Sequence, residues 1–412
     1  MNTKRLAQRI LKSFAALAIL GLLGVAVLFL ALWLEHRTSV TLPTPSGSFA
    51  VSREIYDWVD DKTPDPLCPV PGAKRELLVW IWYPASSAYS TDTADYLPTP
   101  MREVVERGNG VLISKFLTKD LSKVRPHSLR NAEVAAQRPS YPVVLLRAGA
   151  SLEVANYSTL AEDLASHGYV VVGFDAPYRS FAVVFPDGRV MTRLPENNPE
   201  LCLEKTGADR ERCAVRLLSA WTSDSAFVLD RLQEMNSADA PNKFKGRLDM
   251  TRVGIVGHSF GGAAAALFCR DDSRCRAVID LDGAPLGNIV QSGIDRPFLF
   301  LLSDHSRESD PETRQIKADI QSIYNRLPPD SRQVVTIRGA NHFTFTDDGA
   351  LLKSHFIRGA FRALGRLGID GDRQLAVTSY CVCTFFDKFL KGQAAAPSKI
   401  SSARYPEIQS LE

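Results

Sequence analysis

Past an apolar N-terminal stretch, short apolar runs alternate with segments of helical period along the whole chain. Residues 77–83, 142–147, 169–174, 252–256, 277–281, 298–302 and 333–337 have the length and the β-branched or aromatic content of strands. Two of them, Pro142-Val-Val-Leu-Leu-Arg147 and Tyr169-Val-Val-Val-Gly-Phe174, are almost unbroken apolar runs, as in strands covered on both faces. Residues 158–167 read as a helix ended by Gly168. Residues 213–236 read as a long amphipathic helix carrying Leu217, Leu218, Trp221, Phe227, Val228 and Leu232 at helical spacing, and 261–269 as a small-residue helix. This alternation predicts an α/β fold, a mostly parallel central sheet with helices on both faces. The polar stretches 84–140 and 177–212 read as insertions into one domain that spans 37–412, not as further domains.

The N-terminus has a different pattern. Lys4, Arg5, Arg9 and Lys12 precede residues 13–34, which carry no charge and no polar face. Such a run crosses a hydrocarbon core as one helix. It ends in Leu32-Trp33-Leu34-Glu35-His36-Arg37 without a small-x-small cleavage site. The expectation is a basic cytoplasmic tail and a single transmembrane signal anchor over 1–36, with the remainder periplasmic or extracellular. The alternative is a removed signal peptide and a secreted protein.

Charge and cysteine content narrow the function. A net charge of +3 with 23% charged residues gives no electrostatic footprint for nucleic acid. Seven cysteines in an exported chain allow local disulfides, with Cys202 and Cys213 close together in a polar insert and Cys269 and Cys275 flanking a turn. No Cys/His grouping has zinc-site spacing, and Cys381-Val-Cys383 reads as a pair of buried helix or turn cysteines. No metal or cofactor is expected.

The chemistry stands where one strand ends. Gly257-His258-Ser259-Phe260-Gly261-Gly262 joins the 252–256 strand to the Ala-rich helix. A turn this tight strains the serine backbone and needs glycines beside it, and it lifts the hydroxyl above the sheet at a helix N-terminus. Ser259 is therefore the expected nucleophile of an α/β-hydrolase fold. A serine needs a base, which follows it in chain order in this fold. His342, in the loop after the 333–337 strand, has that position. His305 comes too early, His355 reads as a packing or surface residue, and His258 reads as a neighbour of the site. Asp282 and Asp304, at the ends of successive strands, both qualify as the acid, and Asp280 lies inside its strand as a structural carboxylate. Strand order alone favours Asp304.

These segments resemble the platelet-activating factor acetylhydrolase family, the lipoprotein-associated phospholipases and their bacterial relatives. The likeness spans roughly 50–390 and rests on Gly257-His-Ser-Phe-Gly-Gly262, Leu281-Asp282-Gly283 with Pro285-Leu286-Gly287, His342-Phe-Thr-Phe345-Thr-Asp347 and Asp163-Leu-Ala-Ser-His-Gly-Tyr169. It implies Asp282 as the acid, with Asp304 the alternative, and short or oxidised acyl esters of phospholipids as substrates. Two departures bear on specificity. Arg147-Ala148-Gly149-Ala150-Ser151 stands where the family has a His-Gly pair, which leaves the Ala150 and Phe260 amides as the expected oxyanion hole. Ala284 replaces aromatic residues that follow the acid. Other expectations are a broad carboxylesterase, polyester hydrolase or dienelactone-hydrolase-like enzyme, transfer of the acyl group to an acceptor other than water, and a non-catalytic membrane-tethered binding protein.

Overall fold

The structure is a computed structural model that describes residues 3–86, 92–237, 242–306, 308, 310–352, 355–364, 367–393 and 399–410. The strands of its main sheet are β1 (Ala50–Pro64), β2 (Lys74–Ala85), β3 (Leu129–Arg130), β4 (Tyr141–Arg147), β5 (Val170–Asp175), β6 (Leu248–His258), β7 (Cys275–Leu281), β8 (Phe298–Leu302), β9 (Arg332–Ile337) and β10 (Ile408–Ser410). Among the described residues they form one ten-stranded sheet in the order β10-β9-β8-β7-β6-β4-β5-β2-β1-β3. Strands β5, β4, β6, β7, β8 and β9 run parallel, and β2 and β10 join this run antiparallel. Strand β1 was not anticipated, because its sequence Ala-Val-Ser-Arg-Glu-Ile-Tyr-Asp mixes polar and charged residues among the apolar ones, near the sheet margin where only Ser52 and Arg53 pair with β3.

Alternation along each strand builds two cores. Val144, Leu146, Val256, Ile279, Leu299 and Leu301 face one side, where helices Ser158–Ser166 and Gly371–Phe389 cover them. Val143, Leu145, Ile255, Val278, Phe298 and Phe300 face the other side, under helices Gly207–Ser237, Phe260–Asp271 and Pro311–Arg326. The sheet is therefore covered on both faces, and the charged side chains that its inner strands carry, such as Arg147, Asp175 and Asp280, are buried. The segments 84–140 and 177–212 hold short elements, among them a helix over Thr99–Val111 and a hairpin of Ala182–Val184 with Val190–Thr192.

Helix Thr3–His36 stands apart from these cores, and Leu11, Phe14, Leu17 and Leu20 on it are exposed. Its Gln8–His36 stretch is long and apolar enough to cross a membrane, a description that a signal sequence also meets. The ring of Phe29 packs edge-on against Phe116 at 5.0 Å.

Cys202 bonds Cys213 and Cys269 bonds Cys275. Cys381 and Cys383 are buried thiols of helix Gly371–Phe389, while Cys68 is half-buried. Thiol titration without reductant is expected to find only Cys68 reactive in the native protein and three thiols after unfolding. Seven thiols in the unfolded sample would contradict the pairing.

Candidate active site

Strand β6 ends at His258, and the helix begins at Phe260. Between them Ser259 has φ 56° and ψ −126°, a backbone conformation that costs a side-chain-bearing residue about 1–3 kcal/mol. Close packing holds it there. A Cβ on Gly257 would come within 2.1 Å of the Gly261 carbonyl oxygen, and one on Gly261 within 2.3 Å of that of Ala148. The Ser259 N–H donates to the Leu281 carbonyl at 2.9 Å, which ties the turn to the end of β7. Beneath it, buried Asp280 accepts from the Gly283 N–H at 2.8 Å. Burial pushes the Asp280 carboxyl up to about 8, and a Cβ on Gly262 would strike its Oδ1 at 1.9 Å. Asp280 is part of the floor on which the turn is built.

One residue past β7, Asp282 has φ 55°, a left-handed conformation that aspartate tolerates better than most residues. Its side chain is only 1% exposed yet accepts bonds at both oxygens. His342 Nδ1 lies 2.7 Å from Oδ2, and the Ser303 hydroxyl donates to the same oxygen at 2.7 Å. His305 Nε2 lies 2.9 Å from Oδ1, and the Ser303 N–H donates there at 2.8 Å. Burial works against the charge, but the bonds from His305 and His342 outweigh it and hold the carboxyl far below the usual range. A carboxylate can only accept, so His342 carries its proton on Nδ1 and keeps the Nε2 lone pair free. Asp304 turns elsewhere, accepting from the N–H groups of Gly339 at 2.7 Å and Ser306 at 3.1 Å. It shapes the approach to the His342 loop.

The loop after β4 meets the same cluster through a buried relay. The Gly149 N–H donates to the Tyr157 hydroxyl at 3.0 Å, and Tyr157 lies 2.8 Å from His258 Nδ1. His258 Nε2 stands 3.0 Å from the His342 carbonyl oxygen. A carbonyl requires an N–H there, so neutral His258 carries its proton on Nε2 and accepts a hydrogen bond from the Tyr157 hydroxyl at Nδ1. Burial, helped by His342, pushes His258 down to about 3, so it keeps this tautomer through the physiological range. Ala150 lies in the turn after β4, and Phe260 is the first residue of the helix that follows Ser259, where a backbone N–H has no intrahelical partner.

The sequence profile described as platelet-activating factor acetylhydrolase, isoform II, matches residues 36–395. The chain belongs to this family. A "Probable 1-alkyl-2-acetylglycerophosphocholine esterase" of Arthroderma benhamiae is 25% identical over 404 residues, covering 91% of this chain and 95% of its own. The platelet-activating factor acetylhydrolase of Cavia porcellus is 26% identical over 223 residues, 50% of this chain and 48% of its own. Among solved structures, a ferulic acid esterase from Streptomyces cinnamoneus superposes with a TM-score of 0.73 at 27% identity, over 91% of this chain and 100% of its own.

Three of the segments that carry the acetylhydrolase-family likeness, those at 257–262, 281–283 and 342–347, come together around Ser259 and His342. Phe345 packs 5.8 Å from the His258 ring, and buried Asp347 accepts from the Tyr96 hydroxyl and the Thr159 N–H at 3.2 Å each. These contacts hold the His342 turn against helix Ser158–Ser166. Where the family has His-Gly, Arg147 is buried with its guanidinium 4.2 Å from the Phe174 ring and 4.6 Å from that of Trp221. Trp221 in turn stands edge-on to Phe260 at 5.0 Å, so Arg147 supports the wall behind the helix N-terminus. Sequence reading missed Tyr157, Ser303 and the contact of His305 with Asp282. Ser303-Asp304-His305 directly after a strand was the available signal, and chain order hid it. The side chain of His355 lies outside the described residues. Remote from this cluster, Asp163, His167 and Cys383 come within 4.8 Å of one another. They satisfy themselves, with the Cys383 thiol donating to Asp163 at 3.5 Å and His167 bonded to Ser46 at 3.0 Å.

Gly257→Ala is expected to lower stability by about 3 kcal/mol, because the added methyl meets backbone that cannot move aside. Gly359→Ala, on a helix with open space around it, should be neutral or stabilising by up to about 1 kcal/mol. Thermal or urea unfolding of the two variants checks the pair, and equal effects would contradict the packing described.

Proposed function

We propose that the chain hydrolyses the sn-2 acyl ester of phospholipid-like substrates, releasing short or oxidised acyl groups, with Ser259 as nucleophile, His342 as base and Asp282 as acid. The observation that carries this reading is the 2.7 Å bond between His342 Nδ1 and Asp282, beside a strained serine turn in a chain of the acetylhydrolase family. In the first step His342 Nε2 takes the Ser259 proton as Oγ attacks the ester carbonyl. The amides of Ala150 and Phe260 receive the oxyanion, and Asp282 stabilises the imidazolium. His342 then returns its proton to the departing alkoxide of the lysophospholipid. Water enters, gives its proton to His342 and attacks the acyl-serine. Collapse of that intermediate returns the proton to Ser259 and frees the acid. This sequence asks nothing of a metal or cofactor.

The N-terminal helix supports a membrane setting. As a signal anchor it leaves the basic tail in the cytoplasm and the catalytic domain on the outer side, where the two disulfides are at home. Beside it, Val111, Leu112 and Ile113 are exposed, next to the segment that carries Phe116. Phe343, 64% exposed and adjacent to His342, offers an apolar rim to an acyl chain. A second reading, hydrolysis of small soluble esters, is favoured by the extent of the likeness to the ferulic acid esterase.

Full-length protein in detergent or bilayer discs should hydrolyse acetyl and short oxidised sn-2 esters faster than palmitoyl ones and faster than a feruloyl ester. The opposite order transfers the assignment to small esters. Ser259→Ala should lower kcat at least about 10^3-fold, and Asp282→Asn on the order of 10^3- to 10^4-fold. Asp304→Asn should cost less than about tenfold, since its carboxylate bonds backbone instead of His342. A larger loss from Asp304→Asn than from Asp282→Asn would reverse the assignment of the acid.

A further inference from the structure

The acid Asp282 serves two imidazoles, and the reaction as described uses only one. His342 Nδ1 meets Oδ2, while His305 Nε2 meets Oδ1 at 2.9 Å. The other nitrogen of His305, Nδ1, lies 2.8 Å from Glu308 Oε2. A neutral imidazole has one N–H and would turn a lone pair towards one of these carboxylates. With both N–H groups present, each carboxylate receives a proton donor, so the geometry suits the imidazolium. The ring is also held in place. Lys317 donates to the His305 carbonyl at 3.0 Å, and Ser303 Oγ lies 3.0 Å from His305 Nε2 while donating to Asp282.

We propose that His305 is a positioning residue for the reaction assigned to Ser259, His342 and Asp282, acting as an imidazolium that bridges Asp282 and Glu308, orients the acid and takes up part of its charge. The proposal rests on the reading of the site given above. Its consequence is a shift in the working pH. A positive His305 on the shared carboxylate offsets part of its charge, so the acid limb of activity lies lower with His305 charged than with a neutral side chain in its place. The surrounding groups are consistent with a charged His305. Asp282 faces it from the end of β7, His342 stands on the far side of that carboxylate, and Glu308 comes from its own loop. The Lys317 ammonium reaches its backbone from helix Pro311–Arg326, Asp280 lies below Asp282, and the neighbouring Asp304 carboxylate is turned to the Gly339 and Ser306 amides. The bond to Asp282, reinforced by Glu308 and opposed by partial burial, raises His305 to about 9, which favours the charged ring at neutral pH.

The test compares kcat/KM against pH for full-length wild type, His305→Gln and His305→Lys on a short-chain ester. Glutamine can keep the hydrogen bond without the charge, and lysine keeps the charge. The acid limb of His305→Gln should move up by about one pH unit, the scale expected of one charge at this range in a partly hydrated site. That of His305→Lys should stay within a few tenths of wild type. A uniform fall in rate with an unmoved limb in His305→Gln would overturn the proposal in favour of simple packing. Proton NMR supplies a readout independent of turnover. Wild type should show two downfield imidazole N–H resonances from the Asp282 bonds, and His305→Gln should remove one. A single such resonance in wild type would overturn the bridge. Retained hydrolysis in Ser259→Ala would instead sink the reading of the site, and the resonances would still decide whether His305 spans the two carboxylates.

Discussion

A carboxylate held out of water at Asp282 organises this site. Removing a charge from water costs several kcal/mol, so a buried carboxylate persists only where donors replace its hydration. Here four do, from His342, His305 and both the backbone and hydroxyl of Ser303. Each donor comes from a loop that follows a strand of the sheet, so the carboxylate draws the ends of β7, β8 and β9 into one register. Loss of that charge would release the His342 turn and the loop after β8 together. Directly below, Asp280 meets the opposite fate. With a single backbone donor it cannot offset burial, and its carboxyl is pushed up towards the neutral form. Two aspartates two residues apart are thus shifted in opposite directions because their donors differ.

A second network joins the loop after β4 to the His342 turn. Gly149, Tyr157, His258 and the His342 carbonyl form a continuous buried chain. Its middle member must be neutral, and burial keeps it so. The histidine beside the serine thus acts as a strut, which fixes the distance between the loop after β4 and the loop after β9. Backbone strain is concentrated at the same place, with Ser151, Ser259 and Asp282 all at positive φ. Such conformations persist where surrounding packing over-determines them, and here the glycines at 257, 261 and 262 supply that packing.

Much of this was legible in the sequence. The parallel strands are continuous apolar runs because they are covered on both faces, so β4, β5, β7 and β8 are visible from composition alone. The serine turn is visible from its glycines, and the His342 turn from its place after the last parallel strand. Strand β1 was hidden because polar and charged residues interrupt its apolar ones, as in a loop. The choice between Asp282 and Asp304 was also hidden, since both end strands and only the family likeness separated them. In three dimensions the difference is orientation, with one carboxylate turned towards His342 and the other towards the Gly339 amide. The double use of Asp282 went unread, because chain order set His305 aside although it directly follows a strand end.

The central claim is that acyl transfer passes through Ser259. The most direct measurement is mass spectrometry of full-length protein quenched in acid during turnover of a slowly deacylated ester. The account predicts an acyl group on the peptide containing Ser259, absent from Ser259→Ala and accumulating when His342 is replaced only if acylation survives. Hydrolysis that proceeds with no acylated peptide, or with the acyl group on another residue, would contradict it.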